Sequence, residues 1–555
     1  MSTVQRTSCE EESLIPTTLA SVEVMPRQTV SRGREILADL MVGFGAANLA
    51  YIVHWSHLLT VGQSDLFWRE SSPLPVRYAA IILSTAILGV LVCLLIRAAR
   101  GRGTSATAAC GLLWVFTALT VNSVRNCLAG YYPDQFGGNL LRRFSGLELT
   151  IALIVAAALF LLVVKTFLPS SVAIVRHALI AISVCGIVNV GLAVYKVRGT
   201  TQFPPLAPVR ASFLPTQPGT TPRVVWLVFD ELDFRLAFVD RKQGVPLPVL
   251  DDFRQTAIFA SHAYPPSSAT SDSLLTYLLG EKVVDEHPNG LDDLVLRTAG
   301  QPPKGQLHWR DLPNVFSRAR EAGVNGAVVG WYLPYPRLLG SVTVDSWWFD
   351  NRTSDAAIGE RLWDALLNDP RTLIETSLLS PFGQSLLTKR RVRMFHEFMA
   401  KTKELINDDR VGLLLLHVPV PHTPYFYDRR SGQESLSNST IDGYWDALAL
   451  VDRIVGELRT QMMQLGEWDN SVVLISSDHY YRTAVRLDGH VDHRVPFLLK
   501  MPGQRRALSF DTPFNTQLSH NLVLDILRGR VRTDGSAMNW LEESHSTIPV
   551  GWGVR

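Results

Sequence analysis

Three apolar segments decide the fold of this chain, because each has the composition of a buried strand and ends at acidic or histidine residues. They are VVWLVFDEL at 224–232, VGLLLLH at 411–417 and SVVLISSDH at 471–479. Runs rich in Val, Leu and Ile are typical of strands buried on both faces of a parallel sheet. Such sheets bind ligands beyond the carboxyl ends of their strands. We therefore expect the polar residues that end these segments to meet at one edge of one sheet.

The surrounding sequence predicts one α/β domain. Strand-like and helix-like segments alternate from Arg223 to Arg532, a length of about 310 residues that suffices for one large domain. A helix is predicted after Asp442, where apolar residues recur at spacings of three and four. These residues are Ala447, Val451, Ile454, Leu458 and Met462. We expect this stripe to lie in the core.

The first part of the chain has the composition of a membrane domain. It holds five long apolar stretches, at 36–55, 78–96, 104–123, 149–168 and 172–195. A helix that crosses the hydrocarbon core needs about 20 such residues. Buried core helices are the alternative, but they rarely come five in a row at this length. We therefore predict a bundle of five transmembrane helices followed by the α/β domain.

Basic residues beside the spans predict the orientation. They are Arg27, Arg32 and Arg34 before the first span and Arg97, Arg100 and Arg102 after the second. The positive-inside rule then places the N-terminus in the cytoplasm, and an odd number of spans places everything after Val197 outside. The tail before the first span is too polar for a signal peptide. We expect a multi-pass protein of the cell membrane, in a bacterium the inner or plasma membrane, with an extracytoplasmic soluble domain.

The domain boundaries follow from these changes in composition. They delimit a cytoplasmic tail at 1–35, a transmembrane domain at 36–197, a Pro-rich extended linker at 198–222, the α/β domain at 223–532 and a C-terminal tail at 533–555. All five cysteines lie before residue 200, so disulfides cannot stabilise the α/β domain and no cysteine can be its nucleophile. The balance of 53 basic and 51 acidic residues gives no support to nucleic-acid binding. Lipids, glycans and small anions remain as partners, and the oligomeric state is not predicted.

The segment PPSSATSDSLLTYLLG at 265–280 places a hydroxyl at a helix start. Ser271 or Asp272 can cap a short helix that Gly280 ends. Thr270 would stand just ahead of it, where free N–H groups and the helix dipole favour a phosphate or sulfate. A hydroxyl there is well placed to attack such an anion, and the alternative is that Thr270 is only another cap.

The residues that end the strands provide a metal-binding set. Asp230, Glu231, Asp478 and His479 combine carboxylates with an imidazole, a set that suits a divalent cation. The ion can be zinc, manganese, magnesium or calcium, because the ligand types do not decide between them. A threonine hydroxyl is a poor nucleophile unless a base or a metal favours its ionised form. The metal set and Thr270 therefore predict one site.

At this point the sequence resembles a known family. The motifs LVFDEL, ATSDS, LHVPVPHTPY, ISSDH and HRVPFLLKMPG occur in this order over roughly residues 223 to 530. The succession is similar to that of the alkaline phosphatase superfamily, in the branch of sulfatases, lipoteichoic acid synthases and phosphoethanolamine transferases. The resemblance implies a sheet sandwiched by helices and a metal-dependent enzyme.

The resemblance also implies roles for single residues. Thr270 matches the metal-bound threonine nucleophile of the two transferase families, and Glu231 matches their metal-binding glutamate, with Asp230 beside it. Asp478 and His479 match the metal-binding pair. His422 or His417 corresponds to a histidine that contacts the substrate or leaving group, and His493, followed by Arg494, resembles a histidine on the substrate side.

Departures from the family pattern argue against an ordinary sulfatase. Sulfatases carry Cys or Ser followed by x-Pro-x-Arg, which TSDSL at 270–274 lacks. They also usually show a Gly-Lys-Trp-His segment, where this chain has Gly-Trp-Tyr-Leu at 330–333. Tyr480 replaces the glycine that commonly follows the Asp-His pair.

These features lead to one preferred hypothesis and two alternatives. The preferred function is a membrane-anchored phosphotransferase that moves a substituted phosphate, of the phosphoethanolamine or phosphoglycerol type, from a phospholipid to an exported glycan or lipid. Thr270 would form the covalent intermediate, and a histidine, His422 first, would act as acid and base. The alternatives are a sulfatase-like hydrolase of sulfuric esters or phosphodiesters and an inactive membrane scaffold.

Overall fold

A group of apolar helices precedes an α/β domain in the computed structural model of the chain. The structure describes residues 32–60, 74–129, 173–196, 209–215, 222–289, 293–300, 306–349, 362–375, 381–435 and 442–551. The N-terminal helices are Arg32–Ala50, Ile52–Thr60, Leu74–Ala99, Thr104–Ala129 and Ala173–Lys196. The described residues include three stretches long and apolar enough to cross a membrane, Pro75–Ala99, Thr104–Arg125 and Ala173–Lys196. These match the spans predicted at 78–96, 104–123 and 172–195.

The other two predicted spans are not confirmed. The stretch at 36–55 is divided by a turn at Tyr51 into a helix of 19 residues and a helix of 9 residues. The longer one begins with charged residues, and its Asp39 is buried and accepts hydrogen bonds of 2.5 and 2.8 Å from Arg100. The stretch at 149–168 lies outside the described residues. The count of five transmembrane helices therefore stays a prediction.

Glycines let the apolar helices approach closely. A Cβ on Gly43 would lie 2.3 Å from the carbonyl oxygen of Gly89, and one on Gly45 would lie 2.0 Å from that of Leu179. Small residues at such contacts are the usual way in which membrane helices pack. The helices Leu74–Ala99 and Ala173–Lys196 thus pack against Arg32–Ala50 at two glycines that are separated by one residue.

The α/β domain is built on an eight-stranded sheet. In spatial order its strands are Leu508–Phe510, Ile258–Ala260, Phe497–Lys500, Val472–Ser477, Val224–Asp230, Leu413–Pro421, Gly326–Gly330 and Asp345–Trp348. Every pair is parallel except the two that involve Phe497–Lys500. The central strand, Val224–Asp230, therefore lies between the strand that contains His417 and the strand that ends at Ser477. The strand predicted to end at His417 continues to Pro421. The prediction that these three strands share one sheet edge is confirmed.

The central strand shows why the sheet has helices on both sides. Its even-numbered residues Val224, Trp226 and Val228 pack into a core that includes Leu274 and Leu522. The odd-numbered residues Val225, Leu227 and Phe229 pack into a second core that includes Val451 and Met399. Both faces of the strand are buried, because successive side chains point to opposite faces. The continuous apolar run in the sequence has this physical origin.

The remaining elements complete the two layers and the rim. The helices of the domain are Pro248–Arg254, Thr270–Leu279, Val315–Glu321, Tyr335–Leu339, Leu362–Glu375, Pro381–Ile406, Gly443–Gln464, Val485–Asp488, Ser519–Leu527 and Asp534–Ser544, with a π-helix at Arg235–Val239 and 3₁₀ turns at Trp309–Asp311, Thr516–Leu518 and His545–Thr547. Smaller sheets are formed by Ala263–Tyr264 with Phe514–Asn515, by Val283–Pro288, Leu294–Thr298 and Leu307–His308, and by Tyr427–Asp428 with Gln433–Glu434. The helix predicted after Asp442 is confirmed as Gly443–Gln464, and its apolar stripe is buried.

Both ends of the domain extend beyond the predicted boundaries. In the predicted linker, residues 209–215 pack on the domain, where the Ala211 N–H donates to the Thr343 carbonyl at 2.9 Å and the Leu214 N–H to Asn325 at 2.8 Å. Beyond Arg532, the helix Asp534–Ser544 begins at a capping box of Thr533 and Ser536 and buries Leu541 in the core. Hydrogen bonds to distant residues hold both segments, and composition alone does not reveal such contacts.

We expect Gly45→Leu to destabilise the group of apolar helices. A side chain there would collide with the backbone of Leu179, and overpacking of this kind costs about 1–3 kcal/mol or more. The measurement is thermal unfolding of the purified protein in detergent. Gly111→Leu is the matched control, because a Cβ on Gly111 meets nothing within 4 Å. Equal melting temperatures for the two variants would contradict this packing.

Candidate active site and metal centre

The predicted metal-binding residues lie together at the carboxyl edge of the main sheet. Asp230 is the last residue of the central strand, and Asp478 follows the neighbouring strand Val472–Ser477. His417 lies in the strand on the other side, where it pairs in register with Val228. All of them are buried, as are Glu231 and His479. The parallel register of the three strands therefore brings residues far apart in sequence to one point.

Three of these side chains form a possible cation site. One ligand atom each from Asp230, His417 and Asp478 lies within 4.8 Å of the others. His479 is adjacent, with its Nε2 atom 3.7 Å from Asp230 Oδ1 and 3.5 Å from Asp478 Oδ2. The sequence assigned His417 to the substrate, whereas its Nε2 lies 3.9 Å from Asp230 Oδ2. His417 is thus a further candidate ligand.

The polar atoms of this site fit a divalent cation. Four buried atoms have no hydrogen-bond partner among the residues that the structure describes: both carboxylate oxygens of Asp230, Oδ2 of Asp478 and Nε2 of His417. Unpartnered buried carboxylates are costly unless a cation pairs with them. Oxygen and imidazole nitrogen atoms in one small space are ligands of divalent metals. The unpartnered atoms therefore converge where such an ion would satisfy them.

Burial dominates the electrostatics of the site. It raises the pKa of Asp478 to about 7, and it raises the pKa of Asp230 well above the usual value, with the charges of Asp478 and Glu231 adding to the effect. Burial also lowers the pKa of His479 to about 4 and that of His417 to about 3. Both imidazoles are thus neutral near pH 7, as metal ligands must be.

Glu231 has a strained backbone that several contacts hold in place. Its φ of 70° lies in the left-handed region, which costs a non-glycine residue roughly 1–2 kcal/mol. The Tyr444 hydroxyl donates to the Glu231 carbonyl at 2.8 Å, and the Glu231 N–H donates to Asp478 Oδ1 at 3.2 Å. The side chain pairs with Arg482 Nε at 3.3 Å. Strain of this kind persists where the surroundings determine the conformation, often at functional sites.

Thr270 is the first residue of the helix Thr270–Leu279 and contacts the metal-binding residues. Its Oγ1 atom lies 3.2 Å from His479 Nε2. The Nδ1 atom of His479 lies 2.8 Å from the Tyr480 carbonyl. This carbonyl can only accept, so Nδ1 carries the proton and Nε2 accepts the bond from the Thr270 hydroxyl. The hydroxyl thus has a base within reach.

The start of this helix differs from the prediction. The N-cap is Ala269, which provides no side-chain cap, whereas Ser271 and Asp272 lie inside the helix. Asp272 instead accepts a hydrogen bond of 3.1 Å from Ser267. The predicted end at Gly280 is confirmed, since its φ of 77° is left-handed. A helix start without a side-chain cap leaves N–H groups to bind an anion beside Thr270.

A second group of residues adjoins the site through Trp331. Its ring lies 6.1 Å from the His417 ring and 5.4 Å from the His422 ring, measured between centroids. The guanidinium of Arg391, a residue only 1% exposed, lies 4.3 Å from the centre of the Trp331 ring. The Arg391 guanidinium lies 3.0 Å from His422 Nδ1 and donates to the Thr423 carbonyl at 2.7 Å.

Two neighbours of His422 Nδ1 bear on its tautomer. The Thr423 carbonyl lies 2.6 Å from this atom and the Arg391 guanidinium 3.0 Å from it. A carbonyl only accepts, so the shorter contact places the proton on Nδ1 and leaves Nε2 to accept. Burial, reinforced by the Arg391 charge, lowers the pKa of His422 well below the usual value. The imidazole is thus neutral, and the role of His422 as acid and base stays a prediction.

His493 and Arg494 have other partners. Arg494 pairs with Asp492 at 2.6 Å, donates to the Ser261 carbonyl at 3.0 Å and lies over the Phe234 ring. His493 packs edge-on against Tyr480 with 4.6 Å between ring centres. Within the described residues neither has a hydrogen bond or ion pair with the metal-binding residues. Arg494 thus stabilises a loop, and its predicted contact with substrate has no support in the geometry.

Sequence reasoning missed the residues that support the site from other elements. Arg391 belongs to the basic run KRRVR at 389–393, which reads as the solvated face of a helix. Tyr444 lies on the helix Gly443–Gln464, where an aromatic residue is expected to be core. Arg482 pairs with Glu231 in the structure. It follows the Asp-His motif by three residues, and this nearness in sequence was the one available signal.

Comparisons with known proteins point to one family. A sequence model of the family named Sulfatase matches residues 222–527, more than half of the chain. An ulvan-active sulfatase from Formosa agariphila is 27% identical over 139 residues, which cover 20% of this chain and 27% of that protein. The chain therefore matches only about a quarter of the length of that relative.

Solved structures overlap partly with the chain. Ps i-CgsB in complex with k-i-k-neocarrahexaose gives a TM-score of 0.40 at 15% identity, over 57% of this chain and 74% of that chain. The PsFucS1 sulfatase from Pseudoalteromonas sp. gives 0.39 at 14% identity, over 56% and 68%. The phosphonate monoester hydrolase of Agrobacterium radiobacter gives 0.35 at 15% identity, over 55% and 73%. At these TM-scores no conclusion about this chain rests on the likeness.

We expect Asp478 to stabilise the metal-free protein less as the pH rises from about 4 to about 7. The folded pKa of Asp478 is about 7, whereas an unfolded aspartate has a pKa of about 3.9. Only the folded state holds this proton in the window, so the contribution of Asp478, measured as the difference between the parent and Asp478→Asn, falls as the proton leaves. The buried histidines contribute in the opposite sense, but they are common to both proteins. A divalent cation binds the deprotonated carboxylates, so the rise in melting temperature on adding Mn²⁺ or Zn²⁺ should grow with pH.

Thermal unfolding at several pH values, with and without the metal, measures this effect. Asp478→Asn should abolish most of the metal-induced rise, because it removes a charged ligand. Asp469→Asn is the control, since that residue forms an exposed ion pair with Arg505. A rise that is independent of pH, or that survives in Asp478→Asn, would place the ion elsewhere.

Proposed function

The chain belongs to the sulfatase family, in the sulfatase-like branch of the alkaline phosphatase superfamily, and is an enzyme; on this premise we propose that it is a membrane-anchored phosphotransferase. Its donor is a phospholipid, and its acceptor is an exported glycan or lipid. The transferred group is a substituted phosphate of the phosphoethanolamine or phosphoglycerol type. Thr270 is the nucleophile.

One observation carries this proposal, the contact of 3.2 Å between Thr270 Oγ1 and His479 Nε2 beside the unpartnered carboxylates. The ordinary sulfatase nucleophile is an aldehyde hydrate made from Cys or Ser. Threonine has a secondary alcohol, whose oxidation would give a ketone instead. Thr270 must therefore act through its own hydroxyl, and attack on phosphorus by an alkoxide is the reaction that such a group performs.

The residues of the chain divide the work of this reaction. The proton of the Thr270 hydroxyl has His479 Nε2 as acceptor, while the free N–H groups at the start of the helix Thr270–Leu279 orient the phosphate. A divalent cation held by Asp230, Asp478 and His417, with Glu231 and His479 beside it, would supply positive charge that favours the ionised hydroxyl and the charged phosphate. On the other side, Arg391 provides a buried positive charge, and His422 Nε2 can accept a proton. If His479 Nε2 binds the ion, it cannot also take the proton, so these two roles exclude each other.

Transfer takes place in two displacements at phosphorus. In the first, the Thr270 oxygen forms a bond to phosphorus, the bond to the diacylglycerol oxygen breaks, and the leaving alkoxide takes a proton from solvent. In the second, the acceptor hydroxyl loses its proton to His422 Nε2, and its oxygen forms a bond to the same phosphorus. The bond from phosphorus to the Thr270 oxygen breaks, and His479 returns the proton to that oxygen. Water in place of the acceptor would give a phosphodiesterase. Hydrolysis is the alternative function, and it is favoured by the ester-cleaving members of the family.

We expect Thr270→Ala to abolish turnover without unfolding the protein. Losing the nucleophile should lower kcat/KM by roughly 10³-fold or more, while losing one hydrogen bond costs about 1 kcal/mol of stability. Thr270→Ser should keep part of the activity, because the hydroxyl remains. The measurements are cleavage of bis(p-nitrophenyl) phosphate and release of diacylglycerol from phospholipid vesicles.

Ser271→Ala is the matched control, because it removes the neighbouring hydroxyl from the same helix. It should keep the parent activity. Parent-like turnover by Thr270→Ala would replace the covalent intermediate by an activated water. Cleavage of p-nitrophenyl sulfate but not of the phosphodiester would favour a sulfatase, and no turnover of either ester would refute both functions.

The proposal also requires the α/β domain to lie outside the cytoplasm. We expect a cysteine at Ser431, an exposed residue of the domain, to react in intact cells with a maleimide that cannot cross membranes. A cysteine at Gly101, an exposed residue between two apolar helices, should react only after the cells are opened. Both variants are made in a parent whose five native cysteines are serine. The opposite pattern would reverse the predicted orientation.

A further inference from the structure

We propose that the helix Leu362–Glu375, which we name the insertion helix, seats part of the α/β domain in the membrane and binds the acyl chains of a bilayer phospholipid. The insertion helix lies in the chain between the sheet strands Asp345–Trp348 and Leu413–Pro421. It is thus part of the α/β domain by sequence. The proposal rests on the membrane anchoring proposed above, but not on the chemistry of Thr270.

The insertion helix packs against the apolar N-terminal helices. The Ser84 hydroxyl donates to Asp369 Oδ2 at 2.8 Å, although these residues are 285 positions apart. Leu373 is 6% exposed and buried in a cluster whose other members come from the N-terminal helices. They include Ala50, Tyr51, Trp55, Tyr78 and Ala193. One polar and one apolar contact therefore fix the insertion helix to the predicted membrane domain.

The polar contact lies at the depth of the hydrocarbon core. Ser84 is nine residues into the candidate span Pro75–Ala99, which corresponds to roughly 14 Å along a helix. The core of a bilayer is about 30 Å thick. Polar groups at such a depth are stable only when they pair with each other. Ser84 and Asp369 satisfy one another, so a segment of the α/β domain can reach below the membrane surface.

Another face of the insertion helix is apolar and exposed. Ala365, Asp369 and Leu373 recur at spacings of four on the packed face. Trp363 and Leu367, also four residues apart, are 75% and 69% exposed. In water these side chains would cost free energy, whereas acyl chains would cover them.

The position of this face favours lipid over a protein partner. On the helix Leu74–Ala99, Leu83 and Ile87 flank Ser84 and are themselves exposed apolar residues. A transmembrane helix presents such residues to lipid. The exposed face of the insertion helix thus adjoins a surface that the bilayer already covers. Trp363 also suits the interface, where tryptophan is enriched.

The insertion helix is linked to the active site through the next helix. It contacts the helix Pro381–Ile406, which carries Arg391 to Trp331 and His422. If the insertion helix binds the chains of a phospholipid, the phosphate of that lipid would face the helix that carries the buried guanidinium of Arg391. We infer that this arrangement selects two-chain phospholipids as substrates, whereas a soluble phosphodiester needs only the site itself.

Fluorescence quenching tests the seating without any need for activity. The protein is reconstituted in phosphatidylcholine vesicles with brominated acyl chains, which quench tryptophans in contact with them. The chain has 13 tryptophans, so the contribution of Trp363 is the difference between the parent and Trp363→Phe. We expect Trp363→Phe to lose part of the quenched signal.

Two control variants, one positive and one negative, allow the quenching result to be interpreted. Trp114→Phe should also lose quenched signal, because Trp114 is exposed on a candidate span. Trp468→Phe should lose none, because Trp468 is buried in the α/β domain. If Trp363→Phe behaves like Trp468→Phe, the insertion helix does not contact lipid and the proposal is wrong.

Turnover tests the binding of the lipid substrate. The double variant Trp363→Ser with Leu367→Ser should lower kcat/KM for phosphatidylglycerol in vesicles by about tenfold or more. It should leave cleavage of bis(p-nitrophenyl) phosphate within about twofold of the parent. The control Val239→Ser with Met463→Ser removes two exposed apolar residues from other surfaces of the domain and should change neither activity.

Each remaining outcome is decisive. Equal effects of the double variant on both substrates, or no effect on either, would refute the binding of substrate chains. If the parent protein cleaves no phosphodiester, the proposed phosphotransferase function fails, and quenching at Trp363 alone then supports or refutes the membrane seating.

Discussion

The structure depends on the burial of three carboxylates, Asp230, Glu231 and Asp478, at one edge of the sheet, where its central strands run parallel. Buried charges of one sign repel each other and lose hydration. The fold accepts this cost because the sheet geometry leaves no other position for residues that follow adjacent parallel strands. Cationic groups gather around the edge as a result. Arg482 pairs with Glu231, Arg391 approaches from another helix, and the unpartnered oxygens converge where an ion would bind.

The same constraint explains the supporting structure around Glu231. A left-handed residue in a rigid edge needs more than one hydrogen bond to hold it, and Tyr444 and Asp478 provide them. Tyr444 in turn stacks on Tyr481 with 3.9 Å between ring centres. The hydroxyl of Tyr481 lies 2.9 Å from that of Tyr425. The packing of these tyrosines thus stabilises the backbone conformation of Glu231, and this conformation sets the direction of the Glu231 carboxylate.

The sequence predicted those parts of the site that depend on local pattern. Asp230, Asp478 and His479 could be predicted because each lies at the end of an apolar strand, and parallel pairing brings such ends together. Thr270 could be predicted because a helix start has a recognisable composition, although the residue that caps the helix could not. Arg391 and the ligand position of His417 depend on which helix or strand lies opposite, and that is a property of tertiary packing. The docking of residues 209–215 and of the insertion helix was hidden for the same reason.

The contact between Ser84 and Asp369 has a consequence for kinetics. A domain held only by a flexible linker would sample a volume above the membrane, but residues 209–215 are docked and Asp369 is bound to a candidate span. If the apolar helices span a bilayer as predicted, such a domain would keep a fixed height over the lipid surface. Its encounters with lipid would then be those of two bodies moving in a plane. The rate should follow the mole fraction of substrate in the bilayer, so diluting the substrate with inert lipid would slow the enzyme even when its bulk concentration is unchanged.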